Sequence, residues 1–153
     1  MDDQLTKWDF RFLRLAREVS TWSKDPSTKI GAVACKDKRI LSMGYNGFPS
    51  GIEDTNDRLE NKEQKYKFVV HGEMNCIYNA TLNGVSLKSA TMYVYGLPIC
   101  NECAKGIIQV GINRVVMCFT DASQKWQTSF LTSKTMFEES GIIMQHVEKI
   151  END

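Results

Sequence analysis

The chain has 153 residues, 42% of them hydrophobic and 25% charged, which suits one domain large enough to bury a real core. Its formal net charge is zero, which disfavours nucleic acid as a partner, because such binders carry a basic surplus; a small anionic ligand held by a few local charges stays open. No apolar run approaches the ~20 residues of a membrane span, and the start, Met1-Asp2-Asp3-Gln4, is acidic and polar rather than a leader, so the expectation is a cytoplasmic, intracellular protein with no membrane partner.

The first element is a helix. Leu5, Trp8, Phe12, Leu15, Val19 and Trp22 recur in alternating steps of three and four, which predicts one apolar face packed on a core. Thr6 followed by Asp9 resembles a capping signal. Arg11, Arg14 and Arg17 fall off the stripe and are read as solvated. Ser23-Lys24-Asp25-Pro26-Ser27 ends the helix, since proline turns the residue before it away from helical geometry. Ile30 to Cys35 then reads as a buried strand, with Cys35 in the core. Asp37-Lys38 is a turn, and Ile40 to Tyr45 is the antiparallel partner. Gly44-Tyr45-Asn46-Gly47-Phe48-Pro49-Ser50-Gly51 makes a non-repetitive loop at a strand end, a frequent place for ligand contacts. Asn46 is a candidate to hydrogen-bond a sugar hydroxyl.

From Ile52 to Lys67 the chain turns polar and charged without apolar periodicity, and reads as a surface insertion or an exposed helix, with a lid or an effector-binding segment as the alternative. Phe68-Val69-Val70 leads into a helix opening at His71, with Met74, Ile77, Tyr78 and Leu82 as its packing face and Asn83-Gly84 as its end. Ala90 to Tyr95 is a strand. A helix runs from Cys100 to Val110 with Ala104, Ile107 and Ile108 inward, and Gly111 caps it. Arg114 to Phe119 is the next strand, with Cys118 in the core. Trp126 to Glu139 is helical, with Phe130, Leu131, Met136 and Phe137 as its apolar residues, and Ile142 to His146 is the last strand. His146 has no ligand spacing around it and reads as structural or exposed. The order predicts an α/β fold: three layers, α-β-α, around a central mixed sheet of about five strands, with an antiparallel hairpin and parallel later strands.

The chemistry gathers at His71-Gly72-Glu73 and Pro98-Ile99-Cys100-Asn101-Glu102-Cys103. Five cysteines is an odd count, which favours reduced thiols and metal ligation over disulfides. Cys100 and Cys103, at the start of a helix, can bring both sulfurs to one Zn²⁺, and His71 supplies an imidazole. The positive end of that helix favours thiolate. Three protein ligands leave a fourth position for water, the mark of a catalytic site. Cys76 is read as core, because a fourth protein ligand would displace that water. Glu73 can face the same cavity without binding the ion, free to move protons. H-x-E followed by a P-C-x-x-C segment is the pattern of zinc nucleobase deaminases.

On these residues the chain resembles the deoxycytidylate (dCMP) deaminases of the cytidine-deaminase superfamily. The resemblance runs through Ser23-Lys24-Asp25-Pro26, the Ile30 to Val33 strand, Gly44-Tyr45-Asn46-Gly47, His71-Gly72-Glu73-Met74-Asn75, Met92-Tyr93-Val94, Cys100 to Lys105, Ile107-Ile108-Gln109 and Gly111-Ile112. It implies a cytidine deaminase-like fold over residues 1–153 as one domain, with a polar insertion at about 52–67. It implies His71, Cys100 and Cys103 as zinc ligands and Glu73 as the proton shuttle. Asn46, Ser27, Thr28, Lys29 and Gly72 are implied to lie at the nucleotide. The implied activity is hydrolysis of dCMP to dUMP and ammonia by a zinc-bound hydroxide, which would supply dUMP for thymidylate synthesis. Triphosphate effectors (dCTP, dTTP) and a homo-oligomer, up to a hexamer, are further implications. Lys29 or Arg58 is expected to hold the 5′-phosphate. The alternatives are another cytosine nucleotide or nucleoside (dCTP, deoxycytidine), or a non-catalytic zinc-stabilised module. Two departures stand out: Gly72 where the family usually has alanine, and Ile99 between the proline and the first cysteine, an extra residue expected to reshape the pocket wall.

Overall fold

The computed structural model describes residues 4–120 and 124–151; Met1 to Asp3 of the acidic start lie outside the described residues. Helix α1 (Lys7–Ser20) begins at a complete capping box, in which the Thr6 hydroxyl accepts the Asp9 N–H and the Asp9 carboxylate accepts the Thr6 N–H. It buries Phe12, Leu13, Ala16 and Val19. Trp22, expected on this stripe, lies beyond the helix end, 52% exposed and edge-on to Tyr45. Arg14 and Arg17 are half-buried rather than free in solvent, and Arg14 donates to the Glu151 carbonyl.

Strands β1 (Gly31–Lys36) and β2 (Arg39–Tyr45) form the expected hairpin. Its turn residues Asp37 and Lys38 have φ of 52° and 63°, the left-handed pair that matches the twist of a two-residue hairpin. Short helices α2 (Asn56–Glu60) and α3 (Lys62–Phe68) occupy the charged segment, and α4 (Gly72–Leu82) follows. Then come β3 (Thr91–Tyr95), α5 (Asn101–Gln109), β4 (Arg114–Cys118), α6 (Gln124–Ser140) and β5 (Ile143–Val147). The strand order is β2-β1-β3-β4-β5. β1 is antiparallel to both neighbours, while β3, β4 and β5 run parallel. The mixed five-stranded sheet with an antiparallel pair at one side is the predicted one.

Side-chain alternation splits the sheet into two faces. Val33, Cys35, Tyr93, Val116 and Cys118 pack against α1. Ala32, Ala34, Met92, Val94, Val115 and Met117 pack with the buried residues of α4, α5 and α6. Cys35, Cys76 and Cys118 are core residues, as read. Two glycines let the helices close onto the sheet: a Cβ on Gly31 would lie 1.9 Å from the Ala16 carbonyl oxygen of α1, and one on Gly44 would lie 2.2 Å from the Cys76 nitrogen of α4.

The expected packing face of α4 is met in part: Ile77 is buried and Met74 packs against the core as expected, but Tyr78 and Leu82 do not face it. Cys76, Ile77 and Ala80 are buried with Gly72 and Glu73, whereas Tyr78 is 54% and Leu82 83% exposed. The α4 backbone lies close to β2 at Gly44, and the face carrying Tyr78 and Leu82 is turned outward. On α6, Phe137 is fully buried but Leu131 is 61% exposed. β2 is an edge strand; on its free side the amides of Asn75 and Asn79 each donate, at 2.8 Å, to the carbonyls of Tyr45 and Met43. His146 is exposed at the other side of the sheet and stacks on Phe119. Among the described residues no helix is long and apolar enough to cross a membrane.

Candidate metal centre and active-site cleft

The N-termini of α4 and α5 meet. His71 and Cys100 are the capping residues of the two helices, both with extended backbone, so each side chain projects at a helix mouth rather than along its flank. Cys103 lies in the first turn of α5, where its N–H reaches the Cys100 sulfur at 3.4 Å. His71 Nδ1 stands 3.4 Å from each sulfur, and the three ligand atoms all lie within 4.8 Å of one another. Zn²⁺ takes sulfur at about 2.3 Å and imidazole nitrogen at about 2.0–2.1 Å, so a tetrahedral site has an N–S edge of about 3.5 Å. The His71, Cys100 and Cys103 geometry fits that ion.

The electrostatics agree. The two thiols titrate as a pair: a hydrogen bond from Cys103 pulls Cys100 down to about 4, and the same contact, with burial, holds Cys103 up. The Cys100 sulfur in turn raises His71 above the ordinary imidazole value. Three donors crowded this closely, one of them anionic, suit a soft divalent cation. Glu73 is 2% exposed, and burial pushes its carboxyl up to about 7. Its Oε1 has no hydrogen-bond partner among the described residues. A buried, unpartnered carboxylate oxygen is costly unless something else uses it.

The triad opens onto a cleft. His71, Glu73 and Cys100 line one end. Ile30, Val69, Leu97, Pro98 and Trp126 give apolar walls, and Asp25, Thr28, Asn46, Lys65 and Tyr66 add polar groups. Asn46 is 3% exposed. Its amide oxygen accepts the Ile30 N–H and its amide nitrogen donates to the Thr28 carbonyl, both at 2.8 Å. Asn46 therefore shapes the wall while lining it. Thr28 also lines the cleft; Ser27, Lys29 and Gly72 do not. The Lys29 ammonium turns to the Ser23 carbonyl. Arg58 donates to the Glu53 carbonyl at 2.8 Å and lies over the Phe68 ring. Gly72 is buried, with its Cα against Ile30: an added Cβ would lie 3.1 Å from the Ile30 carbonyl oxygen. Ile99 is fully buried and joins the hydrophobic core. The extra residue is absorbed inward, and the wall is made by its neighbours Pro98 and Cys100.

Lys65 is the residue that sequence reasoning passes over. It sits in a charged run that reads as a solvated face, yet it is 4% exposed. Its ammonium donates to Asp25 at 3.1 Å and to the Ser27 hydroxyl at 2.8 Å. Burial would raise the Asp25 carboxyl, but the N–H groups of Ser27 and Thr28 and the Lys65 ammonium outweigh it and hold it below the usual carboxylate value. Among the described residues Lys65 is the only lysine or arginine lining the cleft. Nothing local signals this, because its partner lies forty positions away in the chain.

Residues 6–119 match the family model of the cytidine and deoxycytidylate deaminase zinc-binding region. An uncharacterised deaminase encoded in the luxG 3′ region of Aliivibrio fischeri is 39% identical over 140 residues, covering 90% of this chain and 92% of that one. A deoxycytidylate deaminase of Mus musculus is 36% identical over 148 residues, covering 92% of this chain and 79% of its own. The crystal structure of the dCMP deaminase of cyanophage S-TIM5 in complex with dCMP and dUMP superposes with a TM-score of 0.75 at 21% identity, over 94% of this chain and 99% of that one.

Proposed function

The chain belongs to the cytidine and deoxycytidylate deaminase family, and on that premise we propose that it hydrolyses dCMP to dUMP and ammonia with His71, Cys100 and Cys103 as zinc ligands and Glu73 as the proton carrier. The observation that carries this reading is the buried, unpartnered Glu73 oxygen beside a nitrogen-sulfur-sulfur triad of tetrahedral spacing. Zinc, when bound, supplies a Lewis acid that lowers the pKa of a water from 15.7 to about 7. Glu73 takes a proton from the attacking water at its carboxylate and delivers it to N3 of the cytosine. With the water oxygen now bonded to C4, Glu73 takes the remaining hydroxyl proton and passes it to the exocyclic amine, so that the C4 carbonyl forms as the C4–N4 bond breaks and ammonia leaves. Its raised pKa suits both directions of transfer near neutrality. The walls of Ile30, Leu97 and Trp126 exclude water around the base. Asn46 and Thr28 face the sugar, and Lys65, rather than Lys29 or Arg58, is the cation for the 5′-phosphate.

The direct test is Glu73→Gln. It should cut turnover of dCMP by about 10² to 10⁴, while zinc content and the circular dichroism spectrum stay those of the wild type. A zinc-stabilised binding module would show no dCMP turnover to lose. Ammonia release from dCMP, dCTP, deoxycytidine and cytidine, measured side by side, fixes the substrate. By the same family reading, dCTP and dTTP are proposed as effectors and a homo-oligomer as the working form. Sedimentation with and without the triphosphates checks both.

A further inference from the structure

Two serines one helical turn apart on α6 reach across to the peptide groups that flank Cys100. Ser133 has no exposed surface, and its hydroxyl lies 2.8 Å from the Ile99 carbonyl, closer than the 3.1 Å to the Ser129 carbonyl of its own helix. One hydroxyl carries one proton, and the shorter contact takes it. The Ser129 hydroxyl accepts the Asn101 N–H at 2.8 Å and donates to the Asn101 side-chain oxygen at 2.7 Å. That N–H is the first of the donors at the start of α5 that have no partner within the helix. The carbonyl before Cys100 and the amide after it are therefore both held by one face of α6. Trp126, on the same face, lines the cleft. Ile99 is the extra residue ahead of the cysteine, and the hydroxyl on its carbonyl fixes a turn that is one residue longer.

We propose that Ser129 and Ser133 are positioning residues that set where the Cys100 sulfur stands toward the metal. This rests on the reading of His71, Cys100 and Cys103 as zinc ligands. Partners that orient metal ligands from behind typically contribute about 10- to 100-fold in metal affinity or activity. The experiment uses the zinc-loaded full chain and follows the rate of zinc release to a chelator. Ser129→Ala and Ser133→Ala should each speed release about tenfold, and the pair more. Thr135→Ala removes an exposed hydroxyl bonded to its own helix at the Leu131 carbonyl, and should leave the rate unchanged. Ser129→Thr, which keeps a hydroxyl, should restore the wild-type rate. In the cobalt-loaded form the alanine variants should shift the thiolate-to-metal absorption band, and kcat should fall with KM for dCMP held.

Folded variants that release zinc at the wild-type rate, or a Thr135→Ala effect as large as theirs, would overturn the proposal. Should Ser133→Ala fail to fold, the half-buried Ser129 decides through its alanine and threonine variants. A wild-type chain that holds no zinc overturns this proposal and the proposed activity together; zinc held but indifferent to both serines overturns this proposal alone.

Discussion

A lysine only 4% exposed must keep its charge paired, and the way Lys65 is paired leaves something over. An ammonium has three donors; Asp25 takes one and the Ser27 hydroxyl another. Asp25 already accepts the N–H groups of Ser27 and Thr28, so it does not depend on Lys65 alone. Lys65 itself lines a cleft that no other lysine or arginine lines among the described residues. Replacing Lys65 with glutamine should remove a charge-assisted hydrogen bond of about 1.5–3 kcal/mol, or about tenfold to a hundredfold in KM for dCMP, and leave KM for deoxycytidine nearly unmoved. An equal rise for both substrates would show that Lys65 only supports the wall. At this scale the sequence was legible where chemistry sits in a short motif. His71, Glu73, Cys100 and Cys103 announce themselves by spacing, whereas Lys65 becomes visible only once folding carries α3 onto the Asp25 turn. Lys29 and Arg58 carry the right charge but spend it on backbone carbonyls elsewhere.

Among the elements, the strands, the hairpin and the helix starts were readable, because strand alternation and capping residues are local, whereas the order of strands across the sheet was not. Nor was the rotation of α4. Tyr78 and Leu82 look like part of a packing face, yet they are turned outward, while the helix backbone lies close to β2 at Gly44. Close approach of two backbones leaves no trace in hydropathy. Gly44→Ala tests the point. Its methyl would lie 2.2 Å from the Cys76 nitrogen, so α4 must back away. Overpacking of this kind typically costs about 1–3 kcal/mol, and backbone cannot yield as a side chain does. The variant should melt at lower temperature in a thermal scan. It should also lose dCMP turnover beyond what the lost stability explains, because His71 and Glu73 ride on the displaced helix.

For the molecule as a whole, α1 is tied to the far face of the sheet through one carboxylate. Asp9 accepts the Tyr93 hydroxyl at 2.7 Å, the Arg114 guanidinium through both oxygens at 2.9 and 3.0 Å, and the Thr6 N–H at 2.8 Å. Burial would raise its pKa, but the bonds from Arg114, Thr6 and Tyr93 outweigh that and hold it below the ordinary carboxylate value. A carboxyl depressed on folding stabilises fully above its unfolded pKa and loses that stabilisation as pH falls through the folded one. Stability should therefore hold near neutrality and decline below about pH 5. Denaturant titrations should show Asp9→Asn less stable at pH 7 and flatter across the acid range; a parallel acid decline in both proteins would remove Asp9 from the account. The free side of β2 carries a different consequence. Unpaired carbonyls on an outer strand are a template on which a stray extended chain can add. Asn75 and Asn79 occupy those of Tyr45 and Met43, and so deny fibril growth its first rung. Asn79→Leu should leave the zinc chemistry intact while concentrated samples turn thioflavin-positive on standing, a cost paid in solubility rather than in rate.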